Sequence, residues 1–290
     1  MSLTSAEDLV SVTQKTGIKA VTLAFLSSAN HGCALGWGGL NQTLPSDKLP
    51  NETTVQSLTK QLQAAGVRVI VSFGGQAGIE PAMRCKSASE LQEIYQSVID
   101  RYGVTMLDFD LEGKETTDQP SIDRRDQALA GLKRAHPGLE ISYTLEVMPA
   151  GLVDSGVNLL RSAKRDGLDL DLVNIMAMDY GAGEDNHGQM GADAIDAAEA
   201  TEKQIQAASL TSKVGITVMI GVNDEKPEVF SQADAQTVLN YAKKTRYISR
   251  LSFWSLERDN GGCAGSKSAS PTCSGVRQSD YEFSRAFVAF

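Results

Sequence analysis

Three histidines, four cysteines, two tryptophans and an aromatic share of 6% are few for a chain of 290 residues, and each shortage excludes something. His31, His136 and His187 stand far apart, and Cys33, Cys85, Cys263 and Cys273 form no C-x-x-C pair. No metal site is therefore expected, and no cofactor. No apolar run approaches the ~20 residues of a membrane span, so no membrane association is expected. The amino terminus lacks the basic, apolar and small-residue succession of a secretory leader, which fits a mature or trimmed chain. Basic residues are outnumbered, 27 Lys and Arg against 36 Asp and Glu, giving a net charge of −9 and a pI near 4.9. Nucleic acid and anionic membrane surfaces would be repelled, whereas a neutral or cationic ligand fits.

What is present is a regular alternation. Apolar runs that read as buried strands cover Ile18 to Leu26, Val67 to Gly75, Val104 to Leu111, Leu139 to Leu145, Leu172 to Met178, Val214 to Val222 and Ile248 to Ser255. Amphipathic helical stretches lie at about Ser5 to Thr16, Thr53 to Ala65, Ser87 to Gly103, Ser121 to His136, Gly156 to Arg165, Ala192 to Ser209, Gln232 to Thr245 and Asp280 to Phe290. Such alternation of near-continuous apolar strands with helices predicts a parallel sheet covered by helices. A doubly wound sheet would want a Gly-rich phosphate turn after its first strand, and "LAFLSSANHG" is not one. A (β/α)8 TIM barrel is favoured, and since only "MSLT" precedes the first helix, its first strand is expected to be short or truncated. No linker or repeat divides the chain, which reads as one domain over 1–290.

The four cysteines sit in Gly- or Ser-containing, loop-like stretches. Their even number predicts two disulfides and hence an oxidising, extracellular setting for a secreted protein. The short "CAGSKSASPTC" segment can double back to join Cys263 to Cys273, leaving Cys33 for Cys85.

The segment "TMLDFDLEGKE" carries the chemistry. Asp108, Asp110 and Glu112 alternate with Leu107, Phe109 and Leu111, so in a strand all three carboxylates project from one face at roughly 6–7 Å intervals. A half-exposed strand with a solvated row of charge would show the same alternation. The apolar run leading into it points instead to a buried strand, where like charges so close raise at least one pKa. In a barrel, the carboxyl ends of the strands form the active face. Glu112, Gly74, Gly75, Asp179, Tyr180 and Trp254 all fall at such ends.

"LDFDLE" resembles the signature of the family-18 glycoside hydrolases, the chitinases, whose pattern is D-x-x-D-x-D-x-E. "SFGG" (Ser72 to Gly75) is similar to their S-x-G-G, "MAMDYG" (Met176 to Gly181) to their M-x-Y-D region, and "SFWSLERD" to the last strand with its substrate-stacking tryptophan. Two departures stand out: Thr105 replaces the first aspartate, and Met178 replaces a tyrosine that bonds the substrate acetyl group, a role Tyr180 or Asp179 would then take.

The resemblance implies hydrolysis of β-1,4 links in chitin or N-acetylglucosamine oligomers with retention, the substrate's acetamide acting as nucleophile. Glu112 would be general acid and base, with Asp110 beside it raising its pKa. Asp110 would orient the acetamide, Asp108 would take over a shared proton, and Trp254 would form the floor beneath the cleaved sugar. Ser72, Gly74, Gly75, Met178, Tyr143 and Trp37 are further substrate-binding candidates, Trp37 equally serving as a loop anchor. Glu146 is open between a site acid and a loop charge. "NDEKPEVFS" is too short for a large α+β insertion, so a shallow cleft and endo cleavage are expected. A monomer is expected, with a separate carbohydrate-binding module as a tethered partner outside this chain. The same motif also serves endo-β-N-acetylglucosaminidases acting on glycoprotein glycans. A chitinase-like lectin would lack the acid, which is present.

Overall fold

The computed structural model describes residues 8–30, 32–38, 44, 47–49, 53–184 and 188–290. The first half of the chain runs α1 (Leu9–Thr16), β1 (Ala20–Ser28), β2 (Leu35–Trp37), α2 (Val55–Ala64), β3 (Arg68–Gly74), α3 (Ala88–Tyr102), β4 (Met106–Asp110), α4 (Gln119–Ala135) and β5 (Glu140–Met148). The second runs β6 (Gly151–Leu152), α5 (Asp154–Arg165), β7 (Leu172–Ala177), α6 (Met190–Ala207), β8 (Lys213–Met219), β9 (Gly221–Val222), β10 (Val229–Phe230), α7 (Gln232–Ala242), β11 (Ile248–Trp254) and α8 (Glu282–Phe287). Each strand and helix expected from periodicity has its counterpart. Helix α3 shows how the boundaries are set: the Ser87 hydroxyl accepts from the Glu90 N–H, and Gly103, at φ 61°, ends the helix in the left-handed region.

The main sheet has the order β11-β8-β7-β5-β4-β3-β1-β2, with β6 added beside β5. Strands β1, β3, β4, β5, β7, β8 and β11 are mutually parallel, while β2 and β6 run antiparallel to their neighbours. Although β1 and β11 lie at opposite ends of the run of parallel strands, the rings of Phe25 and Trp254 stack with centroids 6.0 Å apart. The sheet is therefore curled far enough for a side chain of its first parallel strand to touch one of its last. Among the described residues seven parallel strands are present and no hydrogen-bonded ladder joins β11 to β1; the strand expected before Ser5 lies outside the described residues, as do His31 and His187. The two-residue strands β9 and β10 pair with each other, and this hairpin is all that separates β8 from α7.

Strand register sorts side chains onto two faces. Ser72 pairs with Asp108 and Asp108 with Ser142, whereas Phe73 pairs with Phe109 and Phe109 with Tyr143. The polar set lines the inside of the curl and the aromatic set faces the helices. Phe73 and Phe109 stack at 5.0 Å, and Tyr95 of α3 meets both rings edge-on at 5.1 Å. Each such pair contributes about 0.5–1.5 kcal/mol beyond area burial, so this layer fixes the height and tilt of β4 against its helix.

The same register corrects the expectation that Tyr143 lines the pocket. Tyr143 is fully buried on the helix side, donates its hydroxyl proton to Asp126 of α4, and lies beneath the Arg125 guanidinium at 5.4 Å. Trp37 is likewise removed from the cleft: it is buried, its Nε1–H donates to the Tyr102 hydroxyl at 3.0 Å, and Tyr102 in turn donates to Asp47. Of the two roles open to it, loop anchor is the one its contacts describe.

Both expected disulfides are formed, Cys33–Cys85 and Cys263–Cys273, with Cα separations of 4.6 and 5.8 Å. They span 52 and 10 positions of sequence respectively. Loop-closure entropy makes the first worth about 4 kcal/mol and the second about 3 kcal/mol. The paired substitutions Cys33→Ser with Cys85→Ser are thus expected to lower the melting temperature by about 6 °C, against about 4 °C for Cys263→Ser with Cys273→Ser. Calorimetry on the two double variants checks this order; a larger loss from the second pair would contradict it.

Candidate active site

Strand β4 carries Asp108 and Asp110 into the curl, and Glu112 follows at its carboxyl end. Asp108 is buried and saturated with donors: Ser72 Oγ at 2.7 Å, Ser142 Oγ at 2.5 Å and Thr144 Oγ1 at 2.9 Å. From Thr144 the polar chain continues through Asn174 Nδ2 at 3.0 Å to Thr217 Oγ1 at 2.8 Å. Arg250 approaches from β11 and donates to Ser142 Oγ at 3.2 Å. Ser72, expected to bind substrate, instead holds Asp108.

Asp110 lies one layer higher and differs sharply. It is 7% exposed, and its Oδ1 has no hydrogen-bond partner in the protein. Burial first, then the charges of Glu112, Asp108, Glu115 and Glu146, push its pKa well above the usual carboxylate range. No hydrogen bond joins Asp108 to Asp110 among the described residues. Asp110 is thus a neutral-leaning acid with a free oxygen, and Asp108 is its fixed support.

Glu112 is half-buried at the mouth. Its pKa is raised by burial and then by Glu146, while the backbone N–H of Gln76 counteracts both. The charge expected to act on it was Asp110; the structure puts Glu146 first. Thr144 pairs with Asp110 in the β4–β5 ladder, and the Leu111 N–H continues that ladder to Thr144 O at 3.1 Å. Two residues on, Glu112, just past the end of β4, stands near enough to Glu146 on β5 to feel its charge. Glu146 is exposed and faces the cleft rather than a remote loop.

The wall opposite is aromatic and glycine-lined. Trp254, 37% exposed, rests on Phe25. A Cβ on Gly75, at φ 77°, would come within 2.6 Å of the Phe25 ring, and one on Gly74, at φ 90°, within 2.2 Å of the Asp110 carbonyl oxygen. These two glycines admit close approach of the backbone to the acid row and to the ring. Phe25 was not singled out from sequence. Its register is the reason: the β1–β3 ladder shifts between Ala24 and Leu26, which turns Phe25 out of the alternation.

The third group diverges from expectation. Met178 is half-buried at the end of β7, near the mouth. Tyr180, 4% exposed, sends its hydroxyl into the protein, where burial and then Asp193, Glu228 and Asp196 push its pKa up. None of the acid row is among those charges, and the Tyr180 hydroxyl has no hydrogen-bond partner in the protein. Asp179, at φ 54°, accepts the Glu225 N–H at 2.9 Å, and so ties β7 to the β9–β10 hairpin. Among the described residues, the one His, Cys, Asp and Glu grouping within metal-holding reach is Cys33, Cys85 and Glu90, and its two sulfurs are bonded to each other.

No family model matches the chain. Among characterised proteins it is similar to a probable bifunctional chitinase/lysozyme of Escherichia coli (strain K12), 31% identical over 313 residues that cover 100% of this chain and 33% of that protein. It is also similar to Endochitinase 11 of Metarhizium anisopliae, 32% identical over 89% of this chain and 51% of that protein. The chain thus spans about a third to a half of the length of these relatives. Among solved structures it superposes with TM-score 0.82 and 29% identity on active domain 2 of a thermostable chitinase from Pyrococcus furiosus, covering 100% of this chain and 92% of that one; those crystals hold catalytic-site mutants complexed with chito-oligosaccharides. Kinship along the whole chain, joined to the acid row that β4 builds, shows that this chain belongs to the family-18 glycoside hydrolases.

Proposed function

We propose that the chain is the catalytic domain of a secreted chitinase, which cleaves β-1,4 links between N-acetylglucosamine units by a retaining, substrate-assisted mechanism. The observation that carries this reading is the unpartnered, buried Oδ1 of Asp110 directly beneath Glu112. An acetamide N–H is a donor of the right kind for that oxygen, and the acetamide oxygen can then attack the anomeric carbon of its own sugar. The two disulfides fit an oxidising extracellular setting, and no described helix is long and apolar enough to cross a membrane. The chain is read as one domain in a closed eight-stranded barrel, acting as a monomer, with a carbohydrate-binding module carried elsewhere in the full protein.

The steps follow from the residues. Trp254 and Phe25 offer an apolar wall against which the sugar face packs. Glu112, protonated because of burial and Glu146, donates to the glycosidic oxygen as the bond breaks. Asp110 passes its proton to Asp108, accepts the acetamide N–H, and balances the positive charge of the oxazolinium-like intermediate. Water then attacks with Glu112 as base, which retains configuration. Asp179 shapes the rim by holding the hairpin, and the short β9–β10 connection leaves the cleft shallow and suited to internal cleavage.

Glu112→Gln keeps shape and loses the proton, so hydrolysis of a chitin hexamer is expected to fall about 10²- to 10⁴-fold, with binding retained. An aryl glycoside, whose leaving group needs little protonation, should suffer much less from this change. Asp110→Asn should impair both substrates, because it disturbs the nucleophile. Kinetics on the two substrates for the two variants checks the division of labour, and equal losses throughout would contradict it.

Glu146→Gln tests the electrostatics at the rim. Removing a like charge beside Glu112 lowers the Glu112 pKa, so the alkaline limb of the kcat/KM profile is expected to move to lower pH. An unmoved or upward-shifted limb would show that Glu146 does not act on Glu112.

A further inference from the structure

Between β3 and α3 the chain makes a loop that bears on the acid row twice. Near its start, the Gly75 N–H donates to Asp110 O at 3.0 Å, and the backbone N–H of the next residue, Gln76, lies beside the Glu112 carboxylate and favours its charged form. Near its end, the Glu80 N–H donates to Glu115 Oε1 at 2.5 Å. Glu115 and Glu112 belong to one tight turn, in which the Glu115 N–H donates back to Glu112 O at 3.1 Å. One turn therefore presents two carboxylates to two amides of one loop.

Glu115 is itself buried, and its second oxygen, Oε2, has no hydrogen-bond partner. That oxygen packs against Gly74, where an added Cβ would stand only 3.1 Å away. Behind the Glu80 amide, the Glu80 side chain is pinned in turn: Tyr95 donates to its Oε1, the Ala82 N–H reaches Oε2 at 3.0 Å, and the Arg125 guanidinium lies 3.6 Å from Oε2 with both groups fully buried. A carboxylate buried this deeply without an ion partner of its own is costly unless its geometry is used. Burial, opposed by the Glu80 N–H and Arg125 and helped by the Glu80 and Glu112 charges, pushes Glu115 up to about 7, so that it is mostly neutral in mildly acidic solution, where it still accepts the Glu80 hydrogen bond.

Resting on the reading of Glu112 as general acid, we propose that Glu115 is a positioning residue for it: by accepting the Glu80 N–H, Glu115 holds the 75–80 loop so that the Gln76 amide meets and aims the Glu112 carboxyl group. Glu115 touches no substrate. Its side chain acts through the loop backbone, and its duty is one of shape, which an amide oxygen performs as well as a carboxylate.

The test compares Glu115→Gln, Glu115→Ala and Glu115→Asp with the unaltered protein. Each is checked for cooperative melting, then assayed for kcat and KM on an N-acetylglucosamine hexamer and on an aryl glycoside across pH. Glu115→Gln is expected to keep kcat within about threefold. Glu115→Asp, one methylene too short to reach the Glu80 amide, and Glu115→Ala are expected to lose about ten- to a hundredfold in kcat on the hexamer, with little change in KM and a much smaller loss on the aryl glycoside. Gln and Ala both lack the charge, so loss of charge cannot account for a difference between them, and Asp, which keeps the charge, separates the clamp from the cavity that Ala leaves. Losing the Gln76 amide raises the Glu112 pKa, and the alkaline limb of the Ala variant should therefore lie above that of the Gln variant. Should Ala fail to fold, the Gln and Asp pair carries the comparison. Equal kcat in Gln and in Asp or Ala, coincident alkaline limbs, or equal losses on both substrates would overturn the proposal. Glu112→Gln serves as the control: full activity there would instead overturn the general-acid reading.

Discussion

Three carboxylates on one face of one strand repel, and the interior of this sheet is organised around that repulsion. Asp108, deepest in the row, is met by three hydroxyls from the two flanking strands. Asp110, above it, is given none for its Oδ1, and its proton affinity rises instead. Glu112 at the mouth is half in water and steadied by one amide. Solvation by protein dipoles thus fades from the bottom of the row to the top. The gradient assigns the parts: a carboxyl group held by three hydroxyls below, a convertible acid in the middle, and a proton donor at the surface. Arg250, set beneath Ser142, adds a positive charge at the buried end while its own pKa is lowered by the same burial.

Much of this is legible in the sequence, because period-two alternation survives burial. The strand and helix succession, the inward acid row, the Gly74–Gly75 turn and the disulfide partners all follow from residue spacing and turn composition. What spacing does not carry is which face a residue takes once register shifts. Tyr143 sits one position off the inward set and so belongs to the helix layer with Phe109 and Phe73. Tyr180 lies beyond the end of β7, after Asp179 at positive φ, where alternation no longer applies. Phe25 follows a ladder irregularity and enters the cleft unannounced. Glu146 and Glu115 are ordinary surface-type acids by composition, and only the β4–β5 register and the 75–80 loop reveal what they face.

The presence of Glu146 near Glu112 raises a second chemical possibility within the same fold. Conventional retaining glycosidases use two neighbouring carboxylates as acid and nucleophile, and Glu112 and Glu146 are neighbours at the mouth. Two features favour the acetamide route over that pair. Glu146 is exposed, where a carboxylate nucleophile would be solvated, and it acts on Glu112 chiefly as a like charge. Asp110, by contrast, keeps a desolvated oxygen with no partner inside the cleft, a poor arrangement for stability and a good one for gripping an N–H.

Which unit carries the acetyl group at the cut therefore tests the central claim most directly. Partially deacetylated chitin offers both N-acetylglucosamine and glucosamine at every position, and mass-spectrometric sequencing of the products reads the sugar at each new reducing end. If the substrate's acetamide is the nucleophile, every new reducing end is N-acetylglucosamine, whatever the degree of deacetylation. A substantial share of new glucosamine reducing ends would contradict the account and hand the nucleophile's part to a carboxylate of the protein.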